Sequence, residues 1–250
     1  MAFGKTVLVT GANRGIGLEL VKQLLKQPNR PEIIFATCRS PDGATDLKRI
    51  AEENKCVQII KLDVGNLDDV KSAFETVKGH VGDKGLNVLI NNAGILHLEG
   101  RLQDVTPEVM MESYRINTIA PTMIIKEFLP LLQQAAKNES SKPMSCARAA
   151  VLNMSGKIGS IDDNSSGRNY SQRCSKIALN MMNKNLSIEL KSDGILAVVL
   201  HPGWVKTDMG GGCAITSTTE CVEGLLRVAE GLGEKDNGLF YDFKGKLIPL

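Results

Sequence analysis

The segment Thr10-Gly11-Ala12-Asn13-Arg14-Gly15-Ile16-Gly17 constrains this chain more than any other. It follows a short apolar run, Thr6–Val9, and opens a stretch in which Ile16, Leu20, Val21, Leu24 and Leu25 recur at helical spacing until Pro28. A glycine-rich turn between a buried strand and a helix has a specific use. Small residues let the backbone approach a pyrophosphate, and the leading end of the helix offers free N–H groups and a positive dipole end. The signal is informative because strand, turn and helix occur together and in that order. Gly11, Asn13, Arg14, Gly15, Ile16 and Gly17 are therefore the expected dinucleotide-binding residues.

The same alternation continues along the chain. Strands are expected at Ile33–Cys38, Val57–Leu62, Val88–Ile90, Ala149–Leu152, Ile195–Leu200 and Leu239–Tyr241. Helices are expected over Asp68–Val77, Ser175–Leu190 and Thr219–Val228. Another starts at Thr106-Pro107-Glu108, where a capping hydroxyl precedes a proline whose missing N–H costs nothing, and it runs past Asn117 toward Leu132. The polar stretch Asn138–Ser145 reads as a surface loop. No repeat, low-complexity tract or linker interrupts the pattern. Apolar strands alternating with helices predict a parallel sheet covered on both faces. With right-handed crossovers this is an α/β fold, a single Rossmann-type doubly wound parallel sheet of about seven strands, and one domain over residues 1–250. Ligands bind such sheets at the carboxyl ends of the strands.

Composition narrows the partners. The 250 residues carry 30 basic and 28 acidic side chains, a balance that argues against nucleic-acid or membrane-surface binding. Aromatic residues are 4% of the chain, too few for a base-stacking platform. A small-molecule partner is expected. The six cysteines form no C-x-x-C pair and read as reduced thiols of a cytoplasmic protein. The histidines His80, His97 and His201 lack metal-ligand spacing, so no metal is expected. The N-terminus runs straight into a strand with no signal-peptide pattern, and no apolar run approaches the roughly 18 residues needed to span a bilayer.

The end of the second strand bears on the choice of coenzyme. NAD sites usually place an acid there to hold the ribose hydroxyls. Here the segment is Ala36-Thr37-Cys38-Arg39-Ser40, with no acid before Asp42. Arg39 and Arg14 are placed to flank a 2′-phosphate, which points to NADP(H).

Over nearly its whole length the chain resembles the short-chain dehydrogenase/reductases. The likeness rests on the glycine loop at 10–17, Leu62-Asp63-Val64, Asn91-Asn92-Ala93-Gly94, Asn117, Lys176 and Pro202-Gly203-Trp204-Val205-Lys206-Thr207. It is most similar to carbonyl reductases of the sniffer type and to C-factor proteins, through the Asn138–Ser145 insertion, Gly159-Ser160-Ile161 and His201-Pro202-Gly203-Trp204. The resemblance implies roles. Asp63 and Val64 would meet the adenine, and Asn91, Ala93 and Gly94 would close the fourth strand against the coenzyme. Asn117 would kink its helix and hold a water in a proton relay. Lys176 would bind the nicotinamide ribose and lower the pKa of a tyrosine. Pro202, Gly203, Val205 and Thr207 would line the nicotinamide pocket, and residues 207–217 would form a substrate lid. A homodimer is allowed by the same analogy.

The catalytic half departs from the family. Its tyrosine stands four residues before the lysine, a spacing that places the two about 40° apart on a helix. Gln172 occupies that place, and Tyr170 falls about 120° around. Tyr170 reaches Lys176 only if residues 168–173 are not helical. Ser155 matches the first of the family's two serines, while Gly156 stands at the second. A glutamine amide is no acid near neutral pH. Two functions follow: an NADP(H)-dependent carbonyl reductase of impaired rate using Asn117, Ser155, Tyr170 and Lys176, or an NADP(H)-binding sensor or interaction protein without turnover.

Overall fold

Seven strands form one parallel sheet in a computed structural model that describes residues 3–250. They are β1 (Thr6–Val9), β2 (Ile33–Cys38), β3 (Val57–Lys61), β4 (Val88–Asn91), β5 (Ala150–Met154), β6 (Leu196–His201) and β7 (Phe240–Asp242). Their order in space is β3-β2-β1-β4-β5-β6-β7. The chain winds outward from β1 to β3, then returns to lay β4 on the other side of β1. The strand order therefore reverses between β1 and β4, and a crevice opens at their carboxyl ends. The signal-peptide reading of Met1 and Ala2 lies outside the described residues.

Strand alternation divides the core in two. Val7, Val9, Ile34, Ala36, Ile90, Leu152 and Val198 face α1 (Gly15–Lys26), α2 (Thr45–Glu53) and α7 (Thr218–Gly231). Leu8, Phe35, Leu89 and Val151 face the opposite layer, which includes α3 (Leu67–Val81) and α5 (Ala120–Asn138). Helix α4 (Pro107–Tyr114) joins α5 through a π-helical turn at Arg115–Ile119, and α6 (Tyr170–Glu189) packs beside them. Both faces of the sheet are thus covered, as the sequence predicts for a doubly wound fold.

The π turn has a chemical cause. Pro121 has no N–H to bond the carbonyl four residues back, that of Asn117. The ladder widens instead, with the Ala120 N–H donating to the Arg115 carbonyl five residues away.

Three differences from the sequence reading stand out. Helix α2 was not expected, because only Leu47 and Ile50 of its nine residues are buried. Helix α6 begins at Tyr170, five residues before the expected Ser175. The 138–145 stretch is a surface loop only in part: Met144 and Ser145 are buried, and the next residue, Cys146, accepts a hydrogen bond from the Gly4 N–H at its carbonyl.

Candidate active site

The glycine loop occupies the crevice. Gly11 and Gly15 have φ of +67° and +54°, which lets the chain turn from β1 into α1 without a Cβ clash. A Cβ at Gly17 would collide with the Gly11 carbonyl oxygen, so the helix starts against the loop itself. The first hydrogen bond of α1 runs from the Leu18 N–H to the Arg14 carbonyl. Arg14 stands at the N-cap, and its side chain does not cap the helix. Ile16 packs on the core beneath, and Asn13 is half-buried at the loop's edge.

The turn after β4 is fastened to this loop. Thr10 Oγ1 accepts from the N–H groups of Asn92 and Ala93, each at 3.0 Å, and the Asn92 amide donates to the Thr10 carbonyl at 2.9 Å. Gly94 then comes up against the catalytic-side residues. A Cβ at Gly94 would lie 3.1 Å from Asn117 Oδ1 and 3.8 Å from Lys176 Nζ. Two buried polar atoms at strand ends lack a protein partner, Thr37 Oγ1 on β2 and Asn91 Oδ1 on β4.

Asn117 is buried in the π turn and fully engaged. Its Oδ1 accepts from the Ile95 N–H at 3.0 Å. Its Nδ2, with two protons, lies 3.1 Å from each of three acceptors, the Ile95 carbonyl, Gln172 Oε1 and Ser175 Oγ, among which it shares them. Lys176 is 8% exposed and donates to the Met154 carbonyl at 2.8 Å. Burial disfavours its ammonium form and lowers its pKa to about 8. Ser155 follows Met154, and its hydroxyl is buried without a protein partner. Gly156 has an extended φ of −139°, and a Cβ there would lie 3.2 Å from Ile158 Cγ2.

Tyr170 is not brought to this cluster. Residues 170–173 are helical, so Tyr170 stays about a third of a turn away from Lys176. It lines a separate hollow of about 230 Å³ with Ile158, Ile161, Arg173, Cys174 and Ile177. The buried Gln172, Ser175 and Lys176 sit on the other face of α6.

The remaining expected residues ring the crevice. Arg39 is exposed just past β2, and Asp63 and Val64 are half-buried past β3. Asp63 Oδ1 accepts from the Gly65 N–H at 3.0 Å. Arg14 reaches across the mouth to Asp208 at 2.7 Å, both side chains being largely exposed. Thr207 lies over the glycine loop, its Cγ2 3.2 Å from the Cβ position of Gly15. Val205 is buried and bridged to Thr216, while Pro202 and Gly203 are half-buried beside it. Trp204 donates to the Gly210 carbonyl at 2.8 Å, folding residues 204–210 on themselves.

Four residues of the site's frame escaped the sequence reading. Asn153 and Asn183 form a buried amide chain with Asn91. The Glu99 carboxylate accepts the Ser171 N–H at 2.9 Å and so caps the start of α6. Arg173 donates to the carbonyls of Ile158, Gly167 and Arg168 and to Ser166 Oγ, pinning the loop ahead of the helix. A polar Asn153 inside an apolar strand was the one signal available from sequence.

Comparison with known proteins agrees with this geometry. The short chain dehydrogenase family model matches residues 5–215. The structure of the carbonyl reductase Sniffer of D. melanogaster superposes with a TM-score of 0.97 at 40% identity, covering 99% of this chain and 100% of that one. An NADPH-bound carbonyl reductase from chicken fatty liver gives 0.94 at 42% identity, with 99% and 100% covered. The C-signal protein of Myxococcus xanthus is 37% identical over 66% of this chain and 92% of its own length.

Proposed function

The chain belongs to the short-chain dehydrogenase family, and on that premise we propose that it binds NADP(H) and reduces an aldehyde or ketone at a low rate. The observation that carries the reading is the convergence at Gly94, where Asn117 Oδ1 and Lys176 Nζ both come within van der Waals range of one Cβ position beside the glycine loop.

The residues present fit a dinucleotide. The Gly11–Gly17 contact leaves bare backbone and helix N–H groups facing the crevice, and Asn91 Oδ1, at the carboxyl end of β4, is buried without a protein partner. Gly11, Asn13, Gly15, Ile16 and Gly17 would hold the pyrophosphate. Arg39, and Arg14 if it leaves Asp208, would meet the 2′-phosphate. Asp63 and Val64 would hold the adenine, and Asn91, Ala93, Gly94, Pro202, Gly203, Val205 and Thr207 the nicotinamide half. The similarity to an NADPH-bound carbonyl reductase supports the choice of coenzyme. Bound NADPH supplies the hydride.

The chain's own groups do the rest. Ser155 offers a buried hydroxyl that would donate to the substrate oxygen and supply the proton that completes the alcohol, itself re-protonated from water. The Lys176 ammonium, buried in low dielectric, stabilises negative charge that develops there. Gln172 can donate a hydrogen bond from its amide nitrogen but cannot release a proton near neutral pH. Tyr170, on the far face of α6, stays outside this set. The substrate is a small carbonyl compound, in a cytoplasmic protein that engages neither nucleic acid nor membrane. Among the described residues no helix is long and apolar enough to cross a membrane. The family analogy extends to a homodimer.

One observation favours a second reading, a coenzyme-binding protein without turnover. Gln172 is tied by its oxygen to Asn117, so the tyrosine position is filled by a neutral, hydrogen-bonded side chain. Calorimetry with NADPH and NADH, followed by NADPH consumption with aromatic aldehydes and diketones, separates the two. Binding with turnover supports the reductase. Binding without turnover overturns it in favour of the second reading, and no heat of binding overturns both.

A further inference from the structure

Three asparagines distant in sequence meet beneath Lys176. Asn91 and Asn153 are register partners on β4 and β5. Asn91 Nδ2 donates to Asn153 Oδ1 at 2.8 Å, Asn153 Nδ2 to Asn183 Oδ1 at 2.9 Å, and Asn183 Nδ2 to the Ala197 carbonyl at 3.3 Å. All three residues are at most 5% exposed. The direction of the chain is not free. A backbone carbonyl only accepts, so Asn183 must turn its nitrogen to Ala197, which turns its oxygen to Asn153, and so on back to Asn91. The leftover acceptor, Asn91 Oδ1, lies buried at the carboxyl end of β4.

This chain holds α6 at a definite angle. Asn183 is seven residues after Lys176, which returns it to nearly the same helix face. Lys176 grips the carbonyl of Met154, and Asn183 grips the side chain of the preceding residue, Asn153. Two anchors two turns apart on adjacent residues of one strand fix both the roll and the axial position of the helix. Asn180 adds a third, donating to the Gly159 carbonyl at 3.1 Å.

We propose that Asn153 and Asn183 are positioning residues for Lys176, their amide pair locking α6 on β5 so that the ammonium stays buried at the Met154 carbonyl, facing the crevice. The value of that position to a reaction rests on the function proposed above. Burial alone lowers the Lys176 pKa, and the side chains around it, Asn117, Gln172 and Ser175, are all uncharged. A helix free to roll would let water reach the amine and return its pKa toward the ordinary lysine value.

The test is a pH titration of Lys176 by NMR in lysine-labelled protein without coenzyme, for the wild type, Asn183→Leu, Asn183→Thr and Asn153→Ser. In the wild type the midpoint is expected at about 8. Asn183→Leu removes both hydrogen bonds while filling the space, and its midpoint is expected to rise by about one unit or more, with NADPH affinity falling about tenfold. Asn183→Thr keeps a group that can accept and donate, and stays near the wild type. Asn153→Ser breaks the bridge without adding apolar bulk and carries the test if Asn183→Leu does not fold. A merely structural role lowers the melting temperature but leaves the midpoint in place. A folded Asn183→Leu or Asn153→Ser protein with the wild-type midpoint overturns the proposal. A wild type that binds no NADPH overturns the proposed function instead, since the titration is read without coenzyme.

Discussion

The amide nitrogen of Asn117 lies 3.1 Å from the amide oxygen of Gln172, so the Gln172 side chain is held by the residue at the centre of the π turn. The backbone around both is intact. On the reading proposed above, only the side chains at 156 and 172 separate this site from one with a full donor set.

Restoring those side chains should therefore restore chemistry. Gly156 has an extended backbone with only a modest contact to Ile158, so a serine fits there with little adjustment. The double variant Gln172→Tyr, Gly156→Ser should raise kcat for carbonyl reduction by roughly 10²–10⁴, the range a general acid contributes. The check is steady-state NADPH consumption. A folded, NADPH-binding double variant with no gain in rate would show that the hydride geometry itself is wrong.

Lys176 predicts a pH dependence of stability. Its folded pKa of about 8 lies below the ordinary lysine value of 10.5, so between those limits the unfolded chain binds more protons than the native one. Stability contributed by this group rises with pH across that window, by up to about 3 kcal/mol. Below pH 8 the buried charge is a standing cost. Lys176→Met should flatten the rise from pH 8 to 10.5 in urea melts. Its gain at pH 7 is offset by about 1–3 kcal/mol for the Met154 carbonyl left without its donor.

His201 works at the acid end. Burial outweighs the nearby Asp242 and lowers its pKa to about 4, from 6.5. The native state resists protonation that the unfolded chain accepts, so stability is lost as pH falls from 6.5 to 4, by up to about 3 kcal/mol. His201→Gln should shrink that loss, measured as the difference between urea midpoints at pH 7 and pH 5. An unchanged difference would mean water already reaches the imidazole.

The two arginines should differ in their effects. Arg14 is engaged with Asp208 across the mouth, an exposed pair of the kind worth about 0–1 kcal/mol. Arg39 is exposed beside the end of β2 with no such engagement among the described residues. Arg39→Asp should cut the NADPH-over-NADH preference by about tenfold or more, the loss of a charged hydrogen bond. Asp208→Ala should leave stability within about 0.5 kcal/mol and loosen the lid, speeding coenzyme exchange in stopped-flow fluorescence. A preference unmoved by Arg39→Asp would make that side chain a solvated charge only.

How much of this was legible in the sequence follows from how local each feature is. The glycine loop could be read because its chemistry lies within eight consecutive residues. The sheet could be read because its strands are apolar on both faces. Helix α2 could not, since Asp46, Lys48, Arg49, Glu52 and Glu53 swamp the two apolar residues that dock it. The early start of α6 depends on Glu99, more than 70 residues upstream, and on left-handed conformations at Arg168 and Asn169 that no sequence rule favours for arginine. The Asn91–Asn153–Asn183 chain exists only because sheet register aligns residues 62 apart. That Gln172 is held by Asn117 needed the fold, since the two stand 55 residues apart.

The wider turn at Arg115–Ile119 makes the spacing around Asn117 intolerant of length change. Deleting one residue there would close the wide turn into regular α-helix, leaving α4 and α5 in nearly their present relation but carrying the side chain of residue 117 off the bulge. Asn117 would then leave Ile95 and Gln172 while Phe128 and Leu132 stayed on the sheet. Drift in this chain can therefore swap side chains around Asn117 far more readily than it can add or drop a residue beside it.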